Sequence, residues 1–183
     1  MTRDHRMLLT GGVIAIALLL AATALFAFSG LYDVAADMPH IAMTREVIAT
    51  IRERSIENRL GEVTAPLLND SHRIADGAAD YDAMCTTCHL APGMTENEMR
   101  PGMNPKPPVL WRMKHSDPRA QFWVIKHGIK MTGMPAWGVT HSDEEIWNMV
   151  AFLQRLPQLS PPQYRAVVAS GGEHHDHDHM DMH

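Results

Sequence analysis

The residues best placed to do chemistry are Cys85-Thr86-Thr87-Cys88-His89, which hold the chain's only two cysteines. A C-x-x-C-H run is the signal for covalent attachment of a c-type haem. Each thiol adds to one vinyl group, and two intervening residues set the distance between those groups. His89 follows directly, so its imidazole is held under the iron as the proximal ligand. A disulfide oxidoreductase would need a βαβ setting that the sequence lacks, and a zinc site would need more thiolates or paired histidines.

A second axial ligand must come from further along the chain. Methionine is the usual partner of histidine in electron-transfer haems because it raises the potential. The chain has 14 methionines, most of them explicable as packing or surface residues. Met149 falls in a helical pattern, where packing is the expected role. The best candidate is Met134 in Lys130-Met-Thr-Gly-Met-Pro-Ala-Trp-Gly138, with Met131 as the alternative. Gly133 would let backbone approach the haem, and Pro135 would fix the chain just after the ligand.

The elements that must position these residues are helices. Ser71 to Cys85 reads as a helix leading into the haem motif. Residues 93–108 are rich in Pro and Gly and exclude a long element. Pro118 to Gly128 reads as a short helix with Pro at its first position and Gly past its end. Ser142-Asp-Glu-Glu145 is a capping box, followed by the apolar stripe Ile146, Trp147, Val150 and Leu153. A further helix is expected from Pro161 to Ala169, capped by Ser160. Thr44 to Gly61 has apolar residues at helical spacing among Arg and Glu, which predicts an exposed helix acting as a spacer. No strand pattern and no repeat is evident, so the class is all-α.

Met7 to Phe28 carries no charge, and its 22 residues would form a helix of about 33 Å, enough to cross a bilayer. It is long for a cleaved leader, although Ala22-Thr23-Ala24 offers a cleavage-like site. A retained transmembrane helix is the preferred reading. Arg3 and Arg6 precede the run, while Asp33 and Asp37 follow it. The positive-inside rule then leaves the remainder facing the periplasm across a bacterial inner membrane. The expected organisation is a transmembrane anchor over 1–30 and a helical linker over 31–68. A haem domain over 69–160, a C-terminal helix and linker over 161–172 and a flexible tail over 173–183 complete it.

At this point the sequence resembles the class I cytochromes c over about Asn69 to Pro157. The resemblance is carried by Cys85 to His89, by Gly77-Ala-Ala-Asp-Tyr81 as the Gly-x-x-x-aromatic pattern, and by Pro108-Val-Leu110. The Met134-Pro-Ala-Trp137 string and the closing helix with Val150 to Leu153 complete it. It implies the cytochrome c fold, a few helices around one covalently bound haem c. It also implies that the Pro108 carbonyl accepts from His89, that Leu110 packs on the haem and that Met134 is the distal ligand. With both axial positions filled, the implied role is single-electron relay and not catalysis. The expected function is a membrane-tethered monohaem carrier in a respiratory chain, between a periplasmic or membrane donor and an oxidase or reductase.

The net charge of −5 is unevenly spread. Arg100, Lys106, Arg112, Lys114, Arg119, Lys126 and Lys130 face a single Asp117 over residues 100–130, which leaves two readings open: a face that steers an acidic redox partner, or a solvated face with no partner. No nucleic-acid partner is expected. The tail is acidic and carries His174, His175, His177, His179 and His183 with Met180 and Met182. That donor set suits a divalent metal or copper. Two other functions are therefore open: a copper-handling protein that couples the tail to haem redox, and a haem sensor or peroxidase if the sixth ligand is labile.

Overall fold

The structure, a computed structural model, describes residues 3–113 and 116–178, with side chains described through Gly171. Its regular elements are all helical among the described residues. The chain divides into two units, Met1–Met38 and Pro39–His183.

The first unit is one helix, α1 (Arg3–Phe28), long and apolar enough to cross a membrane. Its two threonines are locally satisfied. Thr10 and Thr23 donate to the carbonyls of Arg6 and Leu19 at 2.8 and 2.9 Å. In hydrocarbon an unpaired hydroxyl would have no water to turn to, so this back-bonding suits a spanning helix.

The second unit begins with α2 (Ala42–Glu57) and a single turn at Leu60–Glu62. Both lie against α5 (Pro118–His127). The Arg59 guanidinium sits 6.0 Å from the centre of the Trp123 ring. The segment expected to be a free spacer thus leans on the helical body, while Val47, Ile48 and Ile51 stay exposed.

The body is built around α3 (Ser71–Met84), whose N-cap Asp70 accepts from the backbone N–H groups of His72 and Arg73. Those bonds hold the Asp70 carboxyl below its ordinary range. Small residues make α3 thin enough to be covered closely by two helices. Against α6 (Asp143–Arg155), a Cβ on Gly77 would run into the Asn148 carbonyl. Against α7 (Pro161–Asp178), a Cβ on Gly171 would run into the Ala75 carbonyl. Longer groups tie the same faces. Arg73 donates to Asn148 at 2.9 Å and pairs with Glu144 at 3.2 Å, and the Tyr164 hydroxyl donates to Asp82 at 2.6 Å.

The Ser142 capping box opens α6 as the sequence predicts, with both reciprocal bonds present. Its burial is wider than a stripe, since Met149, Ala151 and Phe152 are covered along with Ile146, Trp147, Val150 and Leu153. A helix clasped by α3 and α5 has two inward faces, which explains the difference. Phe122 of α5 stacks on Trp147 of α6 at 4.2 Å.

The expected linker at Ser170-Gly171-Gly172 is continuous helix, and α7 runs on to Asp178. Gly171 serves the contact with α3 and does not end the helix. The flexible arm expected over 173–183 therefore does not begin at Glu173. His174, His175 and His177 lie on the last turns of α7, while His179 and His183 fall outside the described residues.

Candidate haem site

Cys85 closes α3 and opens α4 (Thr86–His89), the single turn that carries the motif. Backbone N–H groups of Cys88 and His89 both donate to the Cys85 carbonyl, at 3.1 and 2.8 Å. This turn brings both thiols and the imidazole into one short segment. Leu90 ends it at φ 61, and its carbonyl accepts from the buried Tyr81 hydroxyl at 2.6 Å. That bond ties the aromatic of the Gly-x-x-x-aromatic pattern to the exit of the motif.

The two cysteines are not paired with each other. Burial, with smaller contributions from Asp80 and Cys88, pushes the Cys85 thiol up to about 12. A redox-active dithiol needs the opposite shift. No group of three or more metal-ligating side chains forms among the described residues, so a zinc reading has no partners there.

His89 Nδ1 lies 2.9 Å from the Pro108 carbonyl oxygen. A ring N–H donating there leaves Nε2 with its lone pair free for a metal. Burial lowers the His89 pKa, which favours the neutral ring that a metal requires.

Cys85, Leu110 and Met134 all pack, partly buried, against the same core cluster, together with Met84, Trp111 and Trp137. Thus three sequence candidates from separate segments share one core, which also takes in Val63, Leu68 and Val168. Met131 does not join them: it is 99% exposed, at φ 58. The loop that presents Met134 is closed by few bonds. Thr132 Oγ1 accepts from the Met134 N–H at 3.1 Å and donates to the Ile129 carbonyl at 2.8 Å. The Ile129 N–H donates to the Met134 carbonyl at 3.2 Å. Gly128, at φ 64, allows the closure, because a Cβ there would stand 2.7 Å from the Pro135 carbonyl carbon. Beside Gly133 lies the Met103 methyl, the end of a flexible side chain.

Two residues that sequence reasoning passed over belong to this region. Trp111 Nε1 is the buried side-chain nitrogen or oxygen that has no hydrogen-bond partner among the described residues. An orphaned buried donor is costly, so it fits a site whose occupant brings an acceptor, as a haem propionate does. Its signal was its place directly after Pro108-Val-Leu110. Arg100 is 3% exposed and bonds across to the motif. Its only sequence signal was Glu96, four residues earlier.

Four residues of the basic stretch are paired within the fold. Arg100 and Lys106 both pair with Glu96, Arg119 with Asp117 and Lys126 with Asp143. Arg112 lies over the Trp111 ring at 4.6 Å, and Lys114 falls outside the described residues. Three carboxylates against seven basic residues leave the stretch net positive, so the pairing weakens the field expected to steer an acidic partner without removing it.

Residues 72–153 match the family described as cytochrome c oxidase, cbb3-type, subunit III. Comparison with curated proteins and with solved structures returned no match. The matched segment starts in α3 and ends in α6, enclosing the motif, the Pro108 carbonyl and the Met134 loop. Taken with the all-helical fold, residues 72–153 form a c-type cytochrome domain, the kind that binds covalently attached haem c and transfers electrons, and the apolar N-terminal helix fits a membrane tether.

Proposed function

We propose that the chain is a monohaem carrier, tethered by α1 to the bacterial inner membrane with its haem domain in the periplasm. It relays single electrons between a periplasmic or membrane donor and an oxidase or reductase. In this reading Cys85 and Cys88 hold the haem by thioether bonds. His89 and Met134 are the axial ligands, Leu110 packs on the ring and Trp111 donates to a propionate. The observation that supports it is the convergence of Cys85, Leu110 and Met134 on one cluster, with His89 oriented by the Pro108 carbonyl.

The haem, when bound, supplies the one-electron couple. The chain's residues hold both axial positions, which leaves no open coordination site for a substrate. Orientation across the membrane rests on Arg3 and Arg6 before the apolar run.

Ferric protein should show the sulfur-to-iron charge-transfer band. Met134→Ala should abolish it and lower the midpoint potential, whereas Met131→Ala should keep both. A band missing from the wild type, or persisting in Met134→Ala, would overturn the ligand assignment.

A further inference from the structure

Arg100 is the charged residue that the described body buries. Taking a guanidinium out of water costs several kcal/mol unless bonds compensate. Here they do, and their targets are specific. Nη1 donates to the Cys88 carbonyl and, at 3.0 Å, to the Pro107 carbonyl. Nε donates to Glu96 at 2.8 Å, and the other oxygen of Glu96 accepts from Lys106 at 2.7 Å. The neighbouring Asn97 accepts from the Arg100 N–H at 3.2 Å and donates to the Thr87 carbonyl at 2.5 Å.

The placement of those two carbonyls is informative. Cys88 immediately precedes His89, and Pro107 immediately precedes Pro108. One guanidinium nitrogen therefore bridges the residues next to the donor and next to the acceptor of the His89–Pro108 bond. Pro107 and Pro108 have no N–H of their own, so nothing else in that dipeptide can anchor it through a donated backbone bond. The Glu96–Lys106 pair braces the far side of the guanidinium, between the motif and the prolines.

We propose that Arg100 is a positioning residue: it fixes the spacing between the His89 ring and the Pro108 carbonyl, and through that bond tunes the haem potential. The proposal rests on the reading of His89 as the proximal ligand. A ring N–H held firmly to a carbonyl makes the imidazole a stronger donor to iron and favours the ferric state. Loosening it should raise the potential.

The experiment compares haem-loaded wild type, Arg100→Lys and Arg100→Met by redox titration and by NMR exchange of the His89 ring N–H. Intact thioether attachment and an intact sulfur-to-iron band in each protein show that the axial pair is unchanged. If the wild type itself lacks these, the ligand reading fails and not the role of Arg100. Lysine keeps the charge but cannot span both carbonyls and Glu96. Arg100→Lys should therefore raise the potential and speed ring N–H exchange about tenfold, roughly the protection of one hydrogen bond. Arg100→Met should speed exchange as much but have a lower potential than Arg100→Lys, because loss of a buried cation favours the ferric state. Wild-type exchange and potential in a folded Arg100→Lys would overturn the proposal, whether or not stability falls. So would an effect confined to Arg100→Met, which would mean that charge alone acts. If neither variant retains haem, Glu96→Gln carries the test: smaller shifts in the same directions support the clamp, and wild-type values refute it.

Discussion

The two sides of the proposed iron site are held by unequal means. On the His89 side, groups from outside the motif turn bond to it: the buried Tyr81 meets the Leu90 carbonyl, the buried Arg100 the Cys88 carbonyl and the part-buried Asn97 the Thr87 carbonyl. On the Met134 side, the loop is closed mainly by itself, through Thr132, Ile129 and a permissive Gly128. The first side should open only when the fold opens. The second should open locally, at lower free energy, since its bonds are few and partly exposed. Such an asymmetry suits a carrier whose covalent attachment is permanent while its sixth ligand sets the potential.

Gly128→Ala should have the largest effect on this contrast. It forces a side chain onto a backbone that essentially only glycine adopts, which costs about 1–3 kcal/mol, and adds a collision with Pro135 of similar size. The charge-transfer band should then vanish at a lower denaturant concentration than in the wild type, ahead of the helical circular dichroism signal. Simultaneous loss of both signals would mean that the loop is no weaker than the body. Tyr81→Phe should act in the opposite way. Leaving the buried Leu90 carbonyl unsatisfied costs about 2 kcal/mol, and this should lower the midpoints of band and helix signal together. Should the band alone move, the His89 side is less integrated than its bonds imply. The smallest change is expected from Thr132→Val, about 1 kcal/mol, read as an earlier loss of the band with an unaltered helix midpoint.

The parts of this arrangement that depend on neighbours in sequence were legible without coordinates. Ser142 with Glu145, Pro118 with Gly128, and Cys85 to His89 each announce themselves within a few residues, because caps and the attachment turn are local devices. Spacing already favoured Met134 over Met131, the Met-Pro-Ala-Trp resemblance strengthened that choice, and the structure separates the two by exposure. What the pattern could not show was where charges go. The seven basic residues of 100–130 look like a field until Glu96, Asp117 and Asp143 are seen to meet four of them. Only one of those carboxylates lies inside that stretch. Gly171 misled for a related reason: in a sequence it reads as a hinge, and only the Ala75 carbonyl reveals it as a contact.

The thinness of α3 has a chronological consequence. A chain synthesised from its N-terminus presents α3 and the Cys85–His89 turn before either covering helix has been made. The motif thus emerges while Gly77 and Ala75 are still bare, with α6 and α7 yet to follow. The face of α3 that α7 covers, around Ala75, is thus completed only after the whole of the attachment motif has been made.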